Sequence, residues 1–158
     1  WIDETNNFDT NNYIDLSHHI RVLERKNNIK VDVLVGENKS AQPLLDNSKT
    51  IFKSDLYVES IEDIIAKKII YRKNDNLTRD IIDIAIAIKY TDSIMESLLA
   101  AEEIQKQDIK NLFESMQQLD MQSFHNEVEI VAPFEKYLND ANNAPEIIMQ
   151  KCKSLLQL

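Results

Sequence analysis

The sequence predicts an α+β fold in which a small β-sheet segment precedes a helical bundle. Residues Ile29–Val35 place β-branched side chains at every second position, which is typical of a strand. After Val58, apolar residues recur every three or four positions instead, which is typical of helices. Because strands and helices are segregated along the chain, we expect residues 1–58 to form a β/α portion and residues 59–158 a helical domain.

The first third of the chain divides into four predicted segments. The apolar spacing of Tyr13–Lys26 indicates a helix, and Asn27 with Asn28 ends it. The strand Ile29–Val35 follows, and Gly36–Lys49 is a polar loop. Thr50–Val58 is a second candidate strand.

The remaining chain is predicted to be helical. Ser60 with Asp63 three residues later resembles a capping box, and the helix that it opens ends near Arg72. Thr78 is a predicted N-cap for the next helix, which ends near Tyr90. Three or four further helices are expected, approximately Asp92–Ala101, Ile104–Leu119, Met121–Asn139 and Pro145–Leu156. Pro133 is expected to kink or split the third of these.

Composition excludes several classes of protein. No stretch approaches 18 unbroken apolar residues, so we expect no membrane span and no membrane partner. The only cysteine, Cys152, excludes an internal disulfide, and the cytoplasm is the expected compartment. A net charge of -9 weighs against a stand-alone nucleic-acid binder, because affinity for phosphate backbones comes from Lys and Arg.

The single glycine, Gly36, excludes glycine-rich phosphate loops such as the Walker loop and the dinucleotide fingerprint. A local basic patch is nevertheless present. Its members are Lys67, Lys68, Arg72, Lys73 and Arg79.

The most informative residues lie where the first two predicted helices meet. Lys68 stands within an apolar helical stripe, and Asp80 and Asp83 share one face at the start of the next helix. A short turn makes two consecutive helices neighbours, so we expect Lys68, Arg72, Arg79, Asp80 and Asp83 to form one mixed-charge cluster. Two interpretations remain open. Either the ion pairs Lys68–Asp83 and Arg72–Asp80 only hold the two helices together, or the cluster is a functional site.

The spacing of these residues resembles a known family. Ser60, Asp63, Ala66 and Lys68, followed by Arg79, Asp80 and Asp83, are similar to a motif pair of the AbiEii/AbiGii-type nucleotidyltransferase toxin family. The resemblance covers Val58–Ile88 and extends weakly to Ile29–Val35.

The resemblance implies a nucleotidyltransferase-like sheet and transfer of a nucleotidyl group from an NTP to an acceptor such as tRNA. It implies Mg²⁺ as cofactor, with Asp32 as the metal-binding acidic residue. Lys68, Arg72 and Arg79 would bind the nucleotide, and Lys68, Asp80 and Asp83 would be the catalytic residues. A toxin–antitoxin or phage-defence role is implied too, with a cognate antitoxin protein as a partner.

The sequence departs from the family at its beginning. The family's early Gly-Ser and acidic pair is not found, and the chain does not begin with Met. We therefore expect a C-terminal part that is inactive as given, or a protein that has lost the motif. The alternative function is a non-catalytic helical protein-interaction module.

Overall fold

The computed structural model describes residues 14–16, 19–24, 29–34, 44–46, 56–72, 77–128 and 134–158; within the strands, side chains are described only at Leu45 and Val58. The chain divides into two compact units, residues 1–37 and 38–158.

The described residues of the first unit form three short antiparallel strands. Strand β1 is Ile14–Leu16, β2 is His19–Glu24 and β3 is Ile29–Leu34, in the order β1-β2-β3. The predicted helix over Tyr13–Lys26 is therefore wrong. Ile20 and Val22 also fit a period of two, and pairing with β3 satisfies the backbone of this segment as a strand instead.

The second unit begins with a two-stranded antiparallel ladder. Strand β4, Leu44–Asp46, pairs with β5, Leu56–Val58, and Leu45 lies opposite Tyr57. The candidate strand Thr50–Val58 is observed only at its last three residues, since residues 50–55 lie outside the described part.

The predicted α+β class with a nucleotidyltransferase-like sheet is wrong. The part of the chain whose side chains are described is 78% helical and forms a small all-helical domain, in which the expected sheet is not seen. The physical reason is that the helices bury their apolar faces against one another, so the core has no sheet as a second layer.

Seven α-helices lie in the described residues of this domain. They are α1 (Ile61–Arg72), α2 (Thr78–Tyr90), α3 (Ile94–Ala100), α4 (Lys106–Gln118), α5 (Met121–Glu127), α6 (Leu138–Asn142) and α7 (Ala144–Leu156). A 3-10 turn, Glu135–Tyr137, leads into α6. The predicted helix Met121–Asn139 thus ends at Glu127, while Pro133 lies outside the described residues.

Helix α7 packs against both α2 and α4, and α1 packs against α2, α3 and α4. Buried side chains from α1 to α5 and from α7 meet in the core, among them Ile84, Met95, Ile109 and Ile148. Cys152 of α7 is also fully buried, and this burial raises the pKa of its thiol to about 12. The thiol is therefore a core group.

The starts of α1 and α2 fix the junction between them. The Oγ of Ser60 accepts a hydrogen bond from the backbone N–H of Asp63 at 3.1 Å, so Ser60 caps α1 as predicted. Helix α2 instead has Leu77 as its cap residue, without a side-chain hydrogen bond. Thr78, the predicted cap, donates its hydroxyl to Glu127 at 2.6 Å and so ties α2 to α5.

Among the helices that the structure describes, none is long and apolar enough to cross a membrane.

Candidate functional site

Helices α1 and α2 bring Lys68, Asp80 and Asp83 into direct contact. The Nζ of Lys68 donates to Asp80 Oδ1 at 2.6 Å and to Asp83 Oδ2 at 2.7 Å. Asp80 and Asp83 are one helical turn apart, so one ammonium group reaches both carboxylates. The structure thus places these three residues in the cluster that the spacing predicted.

Arg72 joins the cluster from the last turn of α1. Its Nε lies 3.3 Å from Asp80 Oδ2, which makes an ion pair. The geometry is too poor for a hydrogen bond, and Oδ2 is buried without any hydrogen-bond partner. The two predicted ion pairs are therefore both present, and Lys68 makes an additional bond to Asp80.

The three side chains of this contact differ in exposure. The side chain of Asp80 is 3% exposed, that of Lys68 is 17% exposed and that of Asp83 is 55% exposed. Burial alone lowers the pKa of Lys68, but its hydrogen bonds to both aspartates and their negative charges outweigh this effect. The pKa of Lys68 therefore lies above its ordinary value, and the side chain is a cation at neutral pH.

An open cleft of about 340 Å³ lies beside the cluster. It is lined by Glu59, Ile64, Lys67, Lys68, Tyr71, Arg72, Arg79 and Asp80. Arg79 is exposed in the first turn of α2, and among the described residues it makes no ion pair. The cleft therefore offers an uncommitted guanidinium together with three cations that carboxylates already hold.

Sequence reasoning missed three of the lining residues. Glu59, just before α1, was not among the candidate site residues, yet its carboxylate accepts a hydrogen bond from the Nζ of Lys67. Ile64 was not among them either; it is 39% exposed at the cleft, whereas its neighbour Ile65 is buried. Tyr71 was not considered, although a tyrosine three residues after Lys68 lies on the same face of a helix.

The residues of the cleft do not fit a Mg²⁺ site. Asp80 and Asp83 are both bonded to Lys68, which already supplies their positive partner. In residues 58–72, 77–128 and 134–158, no group of three or more His, Cys, Asp or Glu side chains is placed to hold a metal ion. Asp32, the predicted metal ligand, lies on β3, where side chains are outside the described part, and Lys73 lies outside it as well.

Comparison of the chain with protein families, with curated proteins and with solved structures found no match.

Proposed function

We infer that the cleft between α1 and α2 binds the polyphosphate of a nucleoside triphosphate, as part of a nucleotidyltransferase-like protein. The observation that carries this proposal is the convergence of Lys67, Lys68, Arg72 and Arg79 on one cleft in a chain whose net charge is -9. A local excess of cations on an acidic protein favours an anionic ligand at that place.

The first turn of α2 supports the same ligand class. Arg79 and Asp80 of this turn border the cleft, and no side chain caps the helix there. Backbone N–H groups at a helix N-terminus suit phosphate oxygens, and the guanidinium of Arg79 makes paired hydrogen bonds to phosphate. Lys68 would then be a fixed cation, held in place by two carboxylates, that faces the phosphates.

The further steps of the proposal rest on the resemblance of Ser60–Lys68 and Arg79–Asp83 to the toxin family. They are the transfer of the nucleotidyl group, an acceptor such as tRNA, and a role in toxin–antitoxin or phage-defence systems. Since the early acidic motif is not found in this sequence, we derive no catalytic step from the residues of the cleft.

Binding is tested by thermal unfolding of the full chain with ATP, GTP, CTP, UTP or inorganic triphosphate, each with and without Mg²⁺. A ligand at 100 times its Kd stabilises the native state by about 2.7 kcal/mol. We expect at least one nucleotide to raise the Tm. Arg79→Gln is expected to weaken binding about tenfold, in line with the loss of one charge-assisted contact.

Lys106→Gln is the matched control, because Lys106 is exposed at the start of α4 and lies outside this cleft. It removes the same charge and is expected to leave binding unchanged. If no nucleotide raises the Tm of the folded chain, or if Arg79→Gln and Lys106→Gln have equal effects, the cleft is not a polyphosphate site.

A second candidate function, a non-catalytic interaction module, is favoured by the burial of Asp80. A carboxylate that is 3% exposed and paired with Lys68 and Arg72 has the features of a structural ion pair that holds α1 and α2 together. Lys68→Met separates the two candidates. Loss of stability with unchanged nucleotide binding supports a purely structural role of the ion pairs. Loss of nucleotide binding supports the polyphosphate site.

A further inference from the structure

The cleft between α1 and α2 contains an anion that belongs to the chain itself. The Nζ of Lys67 donates a hydrogen bond to Oε1 of Glu59, and both residues line the cleft. Glu59 stands between the end of β5 at Val58 and the start of α1 at Ile61, so it belongs to neither the strand nor the helix. Its carboxylate therefore occupies one of the cations to which we assign the polyphosphate.

The two neighbouring lysines of the cleft are held in different ways. Lys68 bonds Asp80, whose side chain is 3% exposed, and release of that carboxylate would leave a buried charge without its partner. Lys67 bonds Glu59, whose side chain is 49% exposed, and in the described part of the chain Lys67 has no second ionic partner. A half-exposed carboxylate regains water when it turns outward, so the contact of Lys67 is the one that a ligand can replace at little cost.

We propose that the carboxylate of Glu59 competes with a phosphate group of the ligand for Lys67, and that ligand binding turns Glu59 out into the solvent. This inference rests on the proposed function and adds to it a residue that sets how tightly the cleft holds its ligand. Because Ser60 caps α1 through its own side chain, Glu59 can turn without loss of the first turn of the helix.

The number of charges on the ligand decides the competition. Glu59 brings one negative charge to Lys67, whereas a triphosphate brings several, and the attraction of a cation grows with the charge of its partner. A polyphosphate therefore displaces Glu59, but its net gain is smaller by the strength of the contact that it replaces. Glu59 thus lowers the affinity of the cleft without closing it.

Isothermal titration calorimetry of the full chain with inorganic triphosphate tests the competition. Glu59→Gln removes the competing charge and is expected to lower the Kd about two- to fivefold, the range of one exposed ion pair. Glu114→Gln is the matched control, because the side chain of Glu114 is 50% exposed, its Oε1 lies 3.8 Å from the Nζ of Lys110, and it lies outside this cleft. It removes the same charge and is expected to leave the Kd unchanged.

A double variant tests whether the gain in affinity passes through Lys67. When Glu59→Gln is combined with Lys67→Gln, the lysine that the first change sets free is absent, so the Kd is expected to return to that of the native chain or to exceed it. A gain that persists in the double variant, equal Kd values for Glu59→Gln and the native chain, or an equal gain from Glu114→Gln would each overturn the competition and leave the polyphosphate site in place. If neither the native chain nor Glu59→Gln binds triphosphate, the polyphosphate site itself is wrong, and the competition with it.

Discussion

Asp80 and Asp83 bond the same ammonium group, yet their surroundings differ. Asp80 is almost completely buried, whereas more than half of Asp83 is exposed. Removing the charge of Asp80 leaves the largely buried Lys68 and the half-exposed Arg72 beside a buried neutral group. Removing that of Asp83 leaves the bond between Lys68 and Asp80 in place.

Asp80→Asn is therefore expected to lower the free energy of unfolding by about 2–4 kcal/mol, as for a broken buried ion pair. Asp83→Asn is expected to lower it by less than about 1 kcal/mol, because water screens an exposed pair. Urea unfolding of the two variants and the native chain measures both changes. Equal losses would mean that the two carboxylates have the same environment, contrary to the structure.

Sequence spacing predicted which charged residues meet, but it did not predict their burial. A separation of three residues places Asp80 and Asp83 on one side of α2, and spacing treats them alike. Packing of α1 against α2 buries only the first of them. The same limit applies to neighbouring apolar residues of α1, where Ile64 is exposed and Ile65 is buried.

At the scale of elements, the starts of the helices were the most predictable features. Ser60 caps α1, and Pro145 lies in the first turn of α7, since these residues have local reasons to be there. Thr78 was misplaced by one residue because its hydroxyl bonds to Glu127 of α5, a distant partner that no local pattern shows. The segment after Asn12 was mistaken for a helix because its apolar residues fit both periods.

The cap of α1 gives a measurable prediction. Ser60→Ala removes the hydrogen bond to the N–H of Asp63 and is expected to cost about 1 kcal/mol of stability. Ser60→Gly is the comparison, because glycine at a cap position costs only a few tenths of a kcal/mol. Both are measured by urea unfolding, and a larger loss for Ser60→Gly would contradict the role of Ser60 as a cap.

For the whole molecule, the helical domain was predictable and the sheet was not. Periodic apolar residues after Val58 indicated a helical domain, and its helices bury a common core. The predicted sheet depended on Ile29–Val35, but a strand pattern does not tell which layer of a domain a strand joins. The short ladders of the first third therefore do not make the domain α+β.

Two carboxylates give the fold opposite responses to pH. The hydrogen bond from Lys89, followed by that from Tyr90, holds the pKa of Asp140 below its usual value. Asp140 therefore stabilises the fold above its unfolded pKa, and this contribution is lost as the pH falls through the folded pKa. Burial raises the pKa of Glu103, with further contributions from Asp63 and Glu62. Glu103 therefore destabilises the fold when it is ionised.

Glu103→Gln is expected to stabilise the chain at pH 7. The Oε2 of Glu103 is buried without a hydrogen-bond partner, and the substitution regains part of the roughly 1–3 kcal/mol that such an atom costs. The gain is expected to shrink as the pH falls toward the unfolded pKa of about 4.3, where the native carboxyl is protonated as well. Thermal unfolding from pH 4 to pH 8 measures it, and a gain that does not change with pH would exclude ionisation as the cause.

Because Cys152 is the only cysteine of the chain and is buried, the rate at which its thiol is alkylated reports how often α7 opens. Only the thiolate reacts with alkylating reagents, and a pKa of about 12 with complete burial leaves almost none available in the closed state. Alkylation therefore requires an opening in which α7 separates from α2 and α4. Labelling rates with and without nucleotide would report how ligand binding changes the frequency of these openings.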